Sequence, residues 1–362
     1  MKKTCLTFAS NEKGKIYIYG TGKFGRAIKA YLYEYLEDIL ITGFIVSDGL
    51  KDVDTIEGIP VYNLSEVTFL EEDRIIVGAD SWFFHDIIPN IICSKCRNVY
   101  VLNAAEKASA LVVAKLKEKE ICVSDDIIDC GSFKIPNLFL KAKDDMASLI
   151  IYALEFGDLV LPYLGDESMI DEGVYEYNDV NLESIPGGGV VLDCGANVGT
   201  FSARAAAMGL DVYAFEPAPV PIKWLEMTKK LYKDSIHIEK YALADYEGKT
   251  QFYLSDSSIG AGSIEDRGNK GEKIDVDVTT VDNFVEKNNL QRVDFIKADI
   301  EGAERQMLRG ARKTLKNFAP QLSLCTYHCF DDISAMTDII LEANPNYKIV
   351  YAWKKLYAWV EK

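Results

Sequence analysis

Apolar residues in this chain form short runs that alternate with longer amphipathic stretches, and the same order of features occurs twice. Residues 15–36 (KIYIYGTGKFGRAIKAYLYEYL) combine an apolar run, a glycine-containing turn and an amphipathic stretch. Residues 189–209 (GVVLDCGANVGTFSARAAAMG) repeat that order. A further apolar run follows each of them, at 39–48 and at 211–217. Strands that alternate with helices predict parallel sheets with helices on both faces, so we predict an α/β protein with two domains.

The first domain continues through two more short apolar runs, at 74–78 and at 98–102. A stretch rich in Ala, Lys and Glu follows at residues 104–120 and predicts a helix. These features place a Rossmann-like domain at residues 1–115. Residues 116–185 show no single period, and we interpret them as a connector with a helical segment.

The second domain is predicted to begin at the breaker residues 186–189 (PGGG) and to occupy residues 186–362. Its apolar runs predict parallel strands near 190–195, 211–216, 236–243, 294–299 and 320–327. The alternating residues within 250–281 predict an antiparallel hairpin. The last apolar stretch, at 347–361, reads as two strands around Lys354 and Lys355. We therefore predict a mostly parallel sheet that ends in an antiparallel hairpin.

Charge and cysteine content narrow the classes of partner. The net charge of −16 disfavours nucleic acid and anionic membranes as main partners, because both repel an acidic surface. The sequence contains no run of about 18 apolar residues, so we predict no membrane-spanning helix. The first residues also lack the apolar stretch of a secretion signal. We expect a cytoplasmic protein whose eight cysteines stay reduced.

A single C-x-x-C pair, Cys93 and Cys96, is the sequence feature closest to a metal motif. A structural zinc site needs a second pair or nearby histidines, and neither follows at suitable spacing. We interpret the two cysteines as buried thiols of a helix, and we predict that the protein has no metal site.

Candidate chemistry begins with the turn DCGANVG, from Asp193 to Gly199. It ends one strand and opens one helix, where unpaired backbone N–H groups concentrate. Gly195 and Gly199 lack Cβ atoms, so a ligand could lie directly on the backbone. Glu216 ends the next strand, where a carboxylate can accept both ribose hydroxyls of a nucleoside. The acidic strand end suits the cationic amino-acid tail of S-adenosylmethionine better than a diphosphate.

Several motifs together resemble one family. The segments DCGANVGTFS, AFEPAP, ALAD, TTVDNF and IKADIEGAERQMLRGA occur in the order and spacing of FkbM-type methyltransferases, and LSLCTYHCFDDI resembles a further segment of that family. The resemblance covers residues 168–355. It implies a class I, Rossmann-like methyltransferase domain that uses S-adenosylmethionine on hydroxyl groups, often of sugars or polyketides.

The resemblance also implies roles for individual residues. Glu216 would hold the ribose, Glu301 and Asp299 would lie beside the departing methyl group, and Ala244 and Asp245 would flank the adenine. The residues that would line the methionine end are Asp193, Gly195, Asn197 and Gly199. Carboxylates are also favoured in the first turn of any helix, and for Glu304 we prefer that interpretation.

Two residues are candidates for catalysis, His328 and Asp299. His328 is predicted at the carboxyl end of the fifth strand, the edge of an open α/β sheet where ligands bind. It would act as a general base or orient the acceptor hydroxyl, since a neutral imidazole accepts a proton near pH 7. Asp299 is the second candidate, with N-capping of the following helix as the alternative.

The first domain has its own motif, the G-x-G-x-x-G formed by Gly20, Gly22 and Gly25, with Asp48 after the next strand. Taken alone, this pattern predicts a dinucleotide site. The phrases GFIVSD and GIPVYNL resemble nucleotide-fold modules found beside sugar-modifying enzymes. The module therefore either binds a nucleotide or nucleotide-sugar, or serves in docking or oligomerisation.

The function that we predict is S-adenosylmethionine-dependent O-methylation of a small polyhydroxylated acceptor, a sugar or glycoconjugate precursor. One alternative is a catalytically silent protein that binds the cofactor. Another is a nucleotide-sugar or NAD-dependent enzyme run by the first domain. The expected partner is a small sugar-like molecule, with a homo-oligomer as a further option.

Overall fold

The computed structural model describes residues 14–35, 39–79, 83–102, 104–138, 156–157, 159–165, 173–254, 262–265 and 272–361. The described chain forms two compact units. The first lies within residues 14–121, and the second contains residues 122–138 together with the described residues from 156 onward. Within these residues, no helix combines the length and apolar character needed to cross a bilayer.

The first unit is a mostly parallel sheet with helices on both faces. Its strands are β1 (Ile16–Tyr19), β2 (Ile41–Val46), β3 (Thr55–Ile56), β4 (Ile59–Asn63), β5 (Arg74–Val77) and β6 (Asn98–Val101). Its helices are α1 (Lys23–Tyr35), α2 (Phe84–Cys93) and α3 (Ala104–Glu118). The strand order is β3-β4-β2-β1-β5-β6, with β3 and β4 antiparallel and the other neighbours parallel.

The alternating direction of side chains along the strands explains why helices cover both faces of this sheet. Ile18 of β1 belongs to a core that includes Ile28 of α1 and Val113 of α3. The residue before it, Tyr17, belongs to a second core with Ile91 of α2. Successive strand residues point to opposite faces, so an almost wholly apolar strand needs helices on both sides.

The second unit begins with a three-stranded antiparallel sheet and continues with a seven-stranded sheet and a further three-stranded sheet. The antiparallel sheet contains β7 (Cys122–Val123), β8 (Ile127–Asp129) and β9 (Lys134–Pro136). The remaining strands are β10 (Val190–Cys194), β11 (Asp211–Phe215), β12 (Ile236–Glu239), β13 (Tyr241–Leu243), β14 (Gly248–Tyr253), β15 (Lys273–Thr279), β16 (Phe295–Ala298), β17 (Gln321–Cys325), β18 (Lys348–Ala352) and β19 (Lys355–Trp359).

Seven of these strands form the central sheet, in the order β12-β11-β10-β16-β17-β19-β18. All neighbours are parallel except around β19, which runs antiparallel to both β17 and β18. A separate three-stranded sheet has the order β13-β15-β14. The helices are α4 (Thr200–Ala207), α5 (Pro219–Tyr232), α6 (Val281–Lys287), α7 (Glu304–Arg309), α8 (Arg312–Asn317) and α9 (Asp332–Ala343).

Two cores cover the faces of the central sheet. Val191 of β10 packs with Phe201 of α4 and Leu225 of α5. The next residue, Leu192, belongs to the opposite core, with Met307 of α7 and other side chains of α6, α8 and α9. Because β10, β11, β16 and β17 are parallel, their carboxyl ends lie at the same edge of the sheet.

These observations confirm the predicted fold class, an α/β protein with two Rossmann-like, mostly parallel sheets, of which the second ends in an antiparallel hairpin. The predicted hairpins at 250–281 and 347–361 are confirmed by the antiparallel pairs β14–β15 and β18–β19, although 255–261 and 266–271 lie outside the described residues. The predicted strand 236–243 is divided, since β12 and β13 join different sheets.

The predicted connector contains structure that belongs to the second unit. The Tyr232 hydroxyl of α5 bonds to the backbone N–H and carbonyl of Lys134 in β9, at 2.6 and 2.8 Å. Parts of that connector, 139–155 and 166–172, lie outside the described residues. The boundaries at 115 and 185 stay a prediction. The interpretation of the C-x-x-C pair as two buried thiols was wrong for Cys93, which is exposed at the end of α2.

Candidate functional site

The loop between β10 and α4 forms one side of the candidate site. Gly195, Asn197 and Gly199 all have positive φ, at 81°, 50° and 89°. The backbone N–H groups of Gly195 and Ala196 both donate to the carbonyl oxygen of Phe215, at 3.0 and 2.9 Å. The loop is therefore fastened to the end of the neighbouring strand β11, where Glu216 follows.

Glycine is required in this loop by packing of the chain itself. A Cβ on Gly195 would lie 1.9 Å from the carbonyl oxygen of Asp299, and one on Gly199 would lie 2.5 Å from Leu225. We expected these glycines to give a ligand access to the backbone. The structure instead shows contacts with β16 and α5 that exclude any side chain, and a direct role in ligand binding stays a prediction.

Glu216 and Asn197 are the polar groups that the loop and the end of β11 bring together. The Glu216 carboxylate accepts the backbone N–H groups of Asn197 and Ala218, at 3.1 and 2.9 Å. Burial raises the pKa of Glu216 to about 7, although both amide donors act in the opposite direction. Within the described residues, Oδ1 of Asn197 is buried without a hydrogen-bond partner. Such an atom is suited to a ligand that donates, for example the amino group of an amino acid.

Asp193 forms a buried ion pair inside the protein. Its carboxylate is fully buried and lies 3.1 Å from Nζ of Lys297, which is its neighbour in the register of β10 and β16. The Ser202 hydroxyl donates to its other oxygen at 2.6 Å. Lys297 also donates to the carbonyl of Gly195 at 2.6 Å. Asp193 therefore fixes the loop, and its expected contact with the methionine end stays a prediction.

The two residues expected beside the adenine lie near α7. Ala244 is fully buried, and its N–H donates to the carbonyl of Thr279 at 3.1 Å. Asp245 is exposed and accepts from Nε of Arg309 at 3.1 Å. The structure places both after β13, and their role toward adenine stays a prediction.

Asp299 follows β16 and is held by two tyrosines. The Tyr175 hydroxyl donates to Oδ2 at 2.6 Å, and the Tyr327 hydroxyl donates to Oδ1 at 3.1 Å. Burial pushes the pKa of Asp299 up, but the nearby ammonium groups of Lys297 and Lys355 outweigh it. The net effect holds the pKa below its usual range, so Asp299 is a buried, ionised carboxylate.

His328 lies three residues beyond the end of β17, between two carboxylates. Its Nε2 is 3.3 Å from Glu301, and its Nδ1 is 3.3 Å from Glu304. Burial acts to lower its pKa, yet the two carboxylates dominate and raise it to about 10. Near pH 7 the ring is therefore an imidazolium, which donates hydrogen bonds and accepts no proton.

The two carboxylates beside His328 are held by different means. Glu304 accepts the backbone N–H groups of Ile300 and Gly302, at 2.8 and 3.0 Å. These bonds tie Glu304 to the loop before α7, and the interpretation that it stabilises the first turn of that helix stays a prediction. Glu301 has a left-handed backbone with φ of 54°, and its carbonyl accepts the Ser263 hydroxyl at 2.7 Å.

Three side chains at this edge of the sheet could together offer ligands to a metal ion. Ligand atoms of Asp299, Glu304 and His328 all lie within 4.8 Å of one another. The sequence had offered only Asp299 and His328, so Glu304 is the third donor that it did not identify. The same place already holds positive charge, from the imidazolium and from Lys297 beside Asp299. The absence of a metal requirement stays a prediction.

Sequence reasoning missed three residues of this site: Tyr175, Lys297 and Lys355. Lys297 had a usable signal, because a lysine inside the otherwise apolar strand FIKA must be paired when buried. Lys355 had been assigned to a turn, but it opens β19 and is 1% exposed. Tyr175 had no signal, since it lies in the predicted connector and outside every motif that carries the family resemblance.

The motif of the first unit has the expected local context. Gly20 follows β1, Gly25 lies in α1, and a Cβ on Gly25 would lie 1.9 Å from the carbonyl of Gly20. Asp48 follows β2, and its carboxylate accepts the N–H of Ser65 at 2.9 Å. Nucleotide binding by this unit stays a prediction.

Comparison with known proteins identifies the second unit. Residues 193–361 match the family model of the methyltransferase FkbM domain. This match confirms the resemblance of residues 193–361 to FkbM-type methyltransferases that the sequence motifs had implied.

Among curated proteins, the chain is similar to the 31-O-demethyl-FK506 methyltransferase FkbM of Streptomyces tacrolimicus, with 25% identity over 34% of this chain. The match covers 59% of that relative's length. It is also similar to the hexuronic acid methyltransferase AglP of Haloferax volcanii, with 24% identity over 45% of this chain and 65% of the relative. Among solved structures, the methyltransferase FkbM of Methylobacillus flagellatus aligns over 98% of this chain and 92% of its own, with 16% identity and a TM-score of 0.40.

Proposed function

We propose that the protein transfers a methyl group from S-adenosylmethionine to a hydroxyl group of a small polyhydroxylated acceptor. The observation that carries this proposal is the arrangement at one edge of the FkbM-family sheet. A nucleoside-binding carboxylate, Glu216, and an unsatisfied acceptor on Asn197 lie on one side of it. The ionised Asp299 and the clamped His328 lie at the ends of the next strands.

The residues present fit the cofactor. Glu216 retains lone pairs for the ribose hydroxyls after accepting two backbone N–H groups, because a carboxylate has about four acceptor positions. The buried Oδ1 of Asn197 would accept from the amino group of the methionine tail. When bound, S-adenosylmethionine supplies a methyl group attached to a cationic sulfur.

Asp299 and His328 have different roles in the transfer. Asp299 accepts the proton of the acceptor hydroxyl, because it is ionised while His328 already carries its proton. His328 orients the site as a fixed cation between Glu301 and Glu304. Of the two roles expected for His328, the structure favours orientation over proton acceptance. Holding acceptor and methyl group in register supplies most of the acceleration in such a reaction, up to about 7–11 kcal/mol.

The acceptor class rests on two arguments. The similarity to a protein named as a hexuronic acid methyltransferase supports a sugar acceptor. Because Asp299 is ionised, it can take up the proton of a hydroxyl as the new bond between oxygen and the methyl group forms. Both arguments favour an O-methyltransferase.

The test is methyl transfer by the full-length protein, with labelled S-adenosylmethionine and a panel of sugars and uronic acids. We expect labelled O-methyl product from at least one member. Asp299→Asn and His328→Gln should each lower kcat by about 10²-fold or more, with affinity for S-adenosylhomocysteine unchanged. Asp277→Asn, on an exposed position of β15, serves as the control and should keep full turnover. Variants of Asp299 and His328 that both turn over like the parent would contradict the proposed roles.

A further inference from the structure

A short segment that precedes the family-matched residues reaches the candidate site. Residues 173–177 lie before residue 193, where the FkbM match begins, and within the stretch that the sequence presented as a connector. Tyr175 is 6% exposed and its hydroxyl lies 2.6 Å from Oδ2 of Asp299. A residue from outside the matched domain thus contacts the candidate proton acceptor.

The two ends of the segment are packed against the last hairpin of the sheet. Gly173 has φ of 92°, and a Cβ there would lie 2.4 Å from Cβ of Trp353. The carbonyl of Val174 accepts the Tyr357 hydroxyl. The ring of Tyr177 stacks on that of Tyr357, with centroids 5.3 Å apart. The backbone on both sides of Tyr175 is therefore fixed to β19 and to the turn that precedes it.

A buried ion pair attaches the segment 173–177 to helix α4. The Glu176 carboxylate lies 2.6 Å from Nε of Arg204, with both side chains less than a tenth exposed. Arg204 belongs to α4, the helix that follows the candidate cofactor loop. The same glutamate accepts the N–H of Leu182 at 2.8 Å. Tyr175 is therefore presented by a backbone that is tied to the sheet and to α4.

The ring of Tyr175 contributes as well as its hydroxyl. Nζ of Lys355 lies 4.3 Å from the ring centroid, and Nζ of Lys297 lies 4.9 Å from it. Ammonium groups are attracted to the face of an aromatic ring, and more strongly when they are desolvated. The ring therefore holds the two cations whose field keeps Asp299 ionised, while the hydroxyl fixes its carboxylate.

We infer that Tyr175 is a positioning residue for Asp299, and that the segment 173–177 completes the acceptor side of the site. This inference rests on the proposed function, in which Asp299 accepts the proton. The hydroxyl of Tyr175 bonds to Asp299 and to the Cys325 sulfur, and in the described residues it makes no hydrogen bond to the loop between β10 and α4. Its loss should therefore affect turnover and leave the binding of S-adenosylhomocysteine intact.

The experiment compares full-length Tyr175→Phe with Tyr33→Phe, the same substitution at an exposed tyrosine of α1 in the first unit. Tyr175→Phe keeps the ring and removes the hydroxyl donor, so the Asp299 carboxylate loses one fixed contact. We expect kcat to fall on the order of 10²-fold with unchanged S-adenosylhomocysteine affinity. Removing a donor from a carboxylate raises its pKa, so the acidic limb of the kcat profile should move to higher pH. Tyr33→Phe should match the parent in all three readouts.

Each other outcome has a defined meaning. Parental kcat and an unmoved acidic limb in Tyr175→Phe would overturn the inference, and so would loss of S-adenosylhomocysteine binding together with turnover. A parent protein that fails to bind S-adenosylhomocysteine would instead contradict the proposed function. Where the parent binds it but methylates no member of the panel, a crystal structure of that complex decides. The Tyr175 hydroxyl must then lie within hydrogen-bond distance of Asp299, and any other position overturns the inference.

Discussion

Nδ1 of His328 lies 3.3 Å from a carboxylate oxygen of Glu304, and the two side chains are only 2% and 1% exposed. A buried charged pair of this kind survives because each partner offsets the desolvation of the other. With Glu301 on the opposite ring nitrogen, the imidazole is held as a cation.

The first prediction is that His328 stays protonated well above neutral pH. Its pKa is raised to about 10 from a usual value of 6.5. The stabilisation of the folded protein by the charged His328 ring is therefore fully present below pH 6.5. It is lost as the pH rises through about 10. The chain has three histidines, and ring resonances in nuclear magnetic resonance can be assigned by comparison with His328→Gln. A His328 ring that deprotonates near pH 6.5 would contradict this prediction and return the residue to the role of general base.

The second prediction concerns the buried pair of Asp193 and Lys297. Lys297→Met leaves a carboxylate buried without its cation, so the free energy of unfolding should fall by about 3–5 kcal/mol. Denaturant unfolding of the full-length protein measures this loss. The exposed pair of Lys249 and Asp277, at 3.6 Å, is the control. Lys249→Met should change stability by less than about 1 kcal/mol. Equal effects at the two lysines would show that the Asp193 pair is not desolvated in solution.

The third prediction separates backbone strain from packing in the cofactor loop. Gly195 and Gly209 have similar φ, 81° and 78°, but a Cβ on Gly209 meets no atom within 4 Å. Gly209→Ala should cost about 1 kcal/mol for the left-handed backbone alone. Gly195→Ala adds a collision with the carbonyl of Asp299 and should cost about 3 kcal/mol. Thermal unfolding of the two variants checks the difference, and equal costs would mean that the loop adjusts freely.

The fourth prediction is that methyl transfer does not require a metal ion. Asp299, Glu304 and His328 could offer ligand atoms, but the imidazolium would have to lose its proton, and Lys297 and Lys355 repel a dication from Asp299. Turnover in EDTA should therefore equal turnover in magnesium. Activity that disappears in EDTA and returns with magnesium or manganese would show that the three residues bind a metal ion.

Most of the fold was predictable because the strands and helices of its two main sheets are encoded locally. The apolar runs at β10, β11, β16 and β17 and the glycine turn before α4 determine a parallel sheet with an edge where polar residues collect. Glu216 could be placed at that edge because it directly follows a strand, and the structure brings its carboxylate to the backbone N–H of Asn197 at 3.1 Å.

The charge pairing of the site was not predictable, because it depends on register between distant segments. Lys297 meets Asp193 only because β10 and β16 pair with those two residues opposite each other. Tyr175 reaches Asp299 across 124 residues of sequence, from a segment with no periodic pattern. The protonation of His328 likewise depends on Glu301, whose left-handed backbone no residue preference would indicate.

The central claim is that the second unit binds S-adenosylmethionine through Glu216, and calorimetry of the full-length protein with S-adenosylhomocysteine tests it most directly. The ribose hydroxyls donate to the ionised carboxylate, whose pKa in the free protein is about 7. Affinity should therefore rise about tenfold from pH 6 to pH 8. Glu216→Gln should bind more weakly and without that pH dependence, while NAD should not compete. A parent protein that shows no heat of binding at millimolar ligand, or that binds equally well with Gln at position 216, would contradict the account.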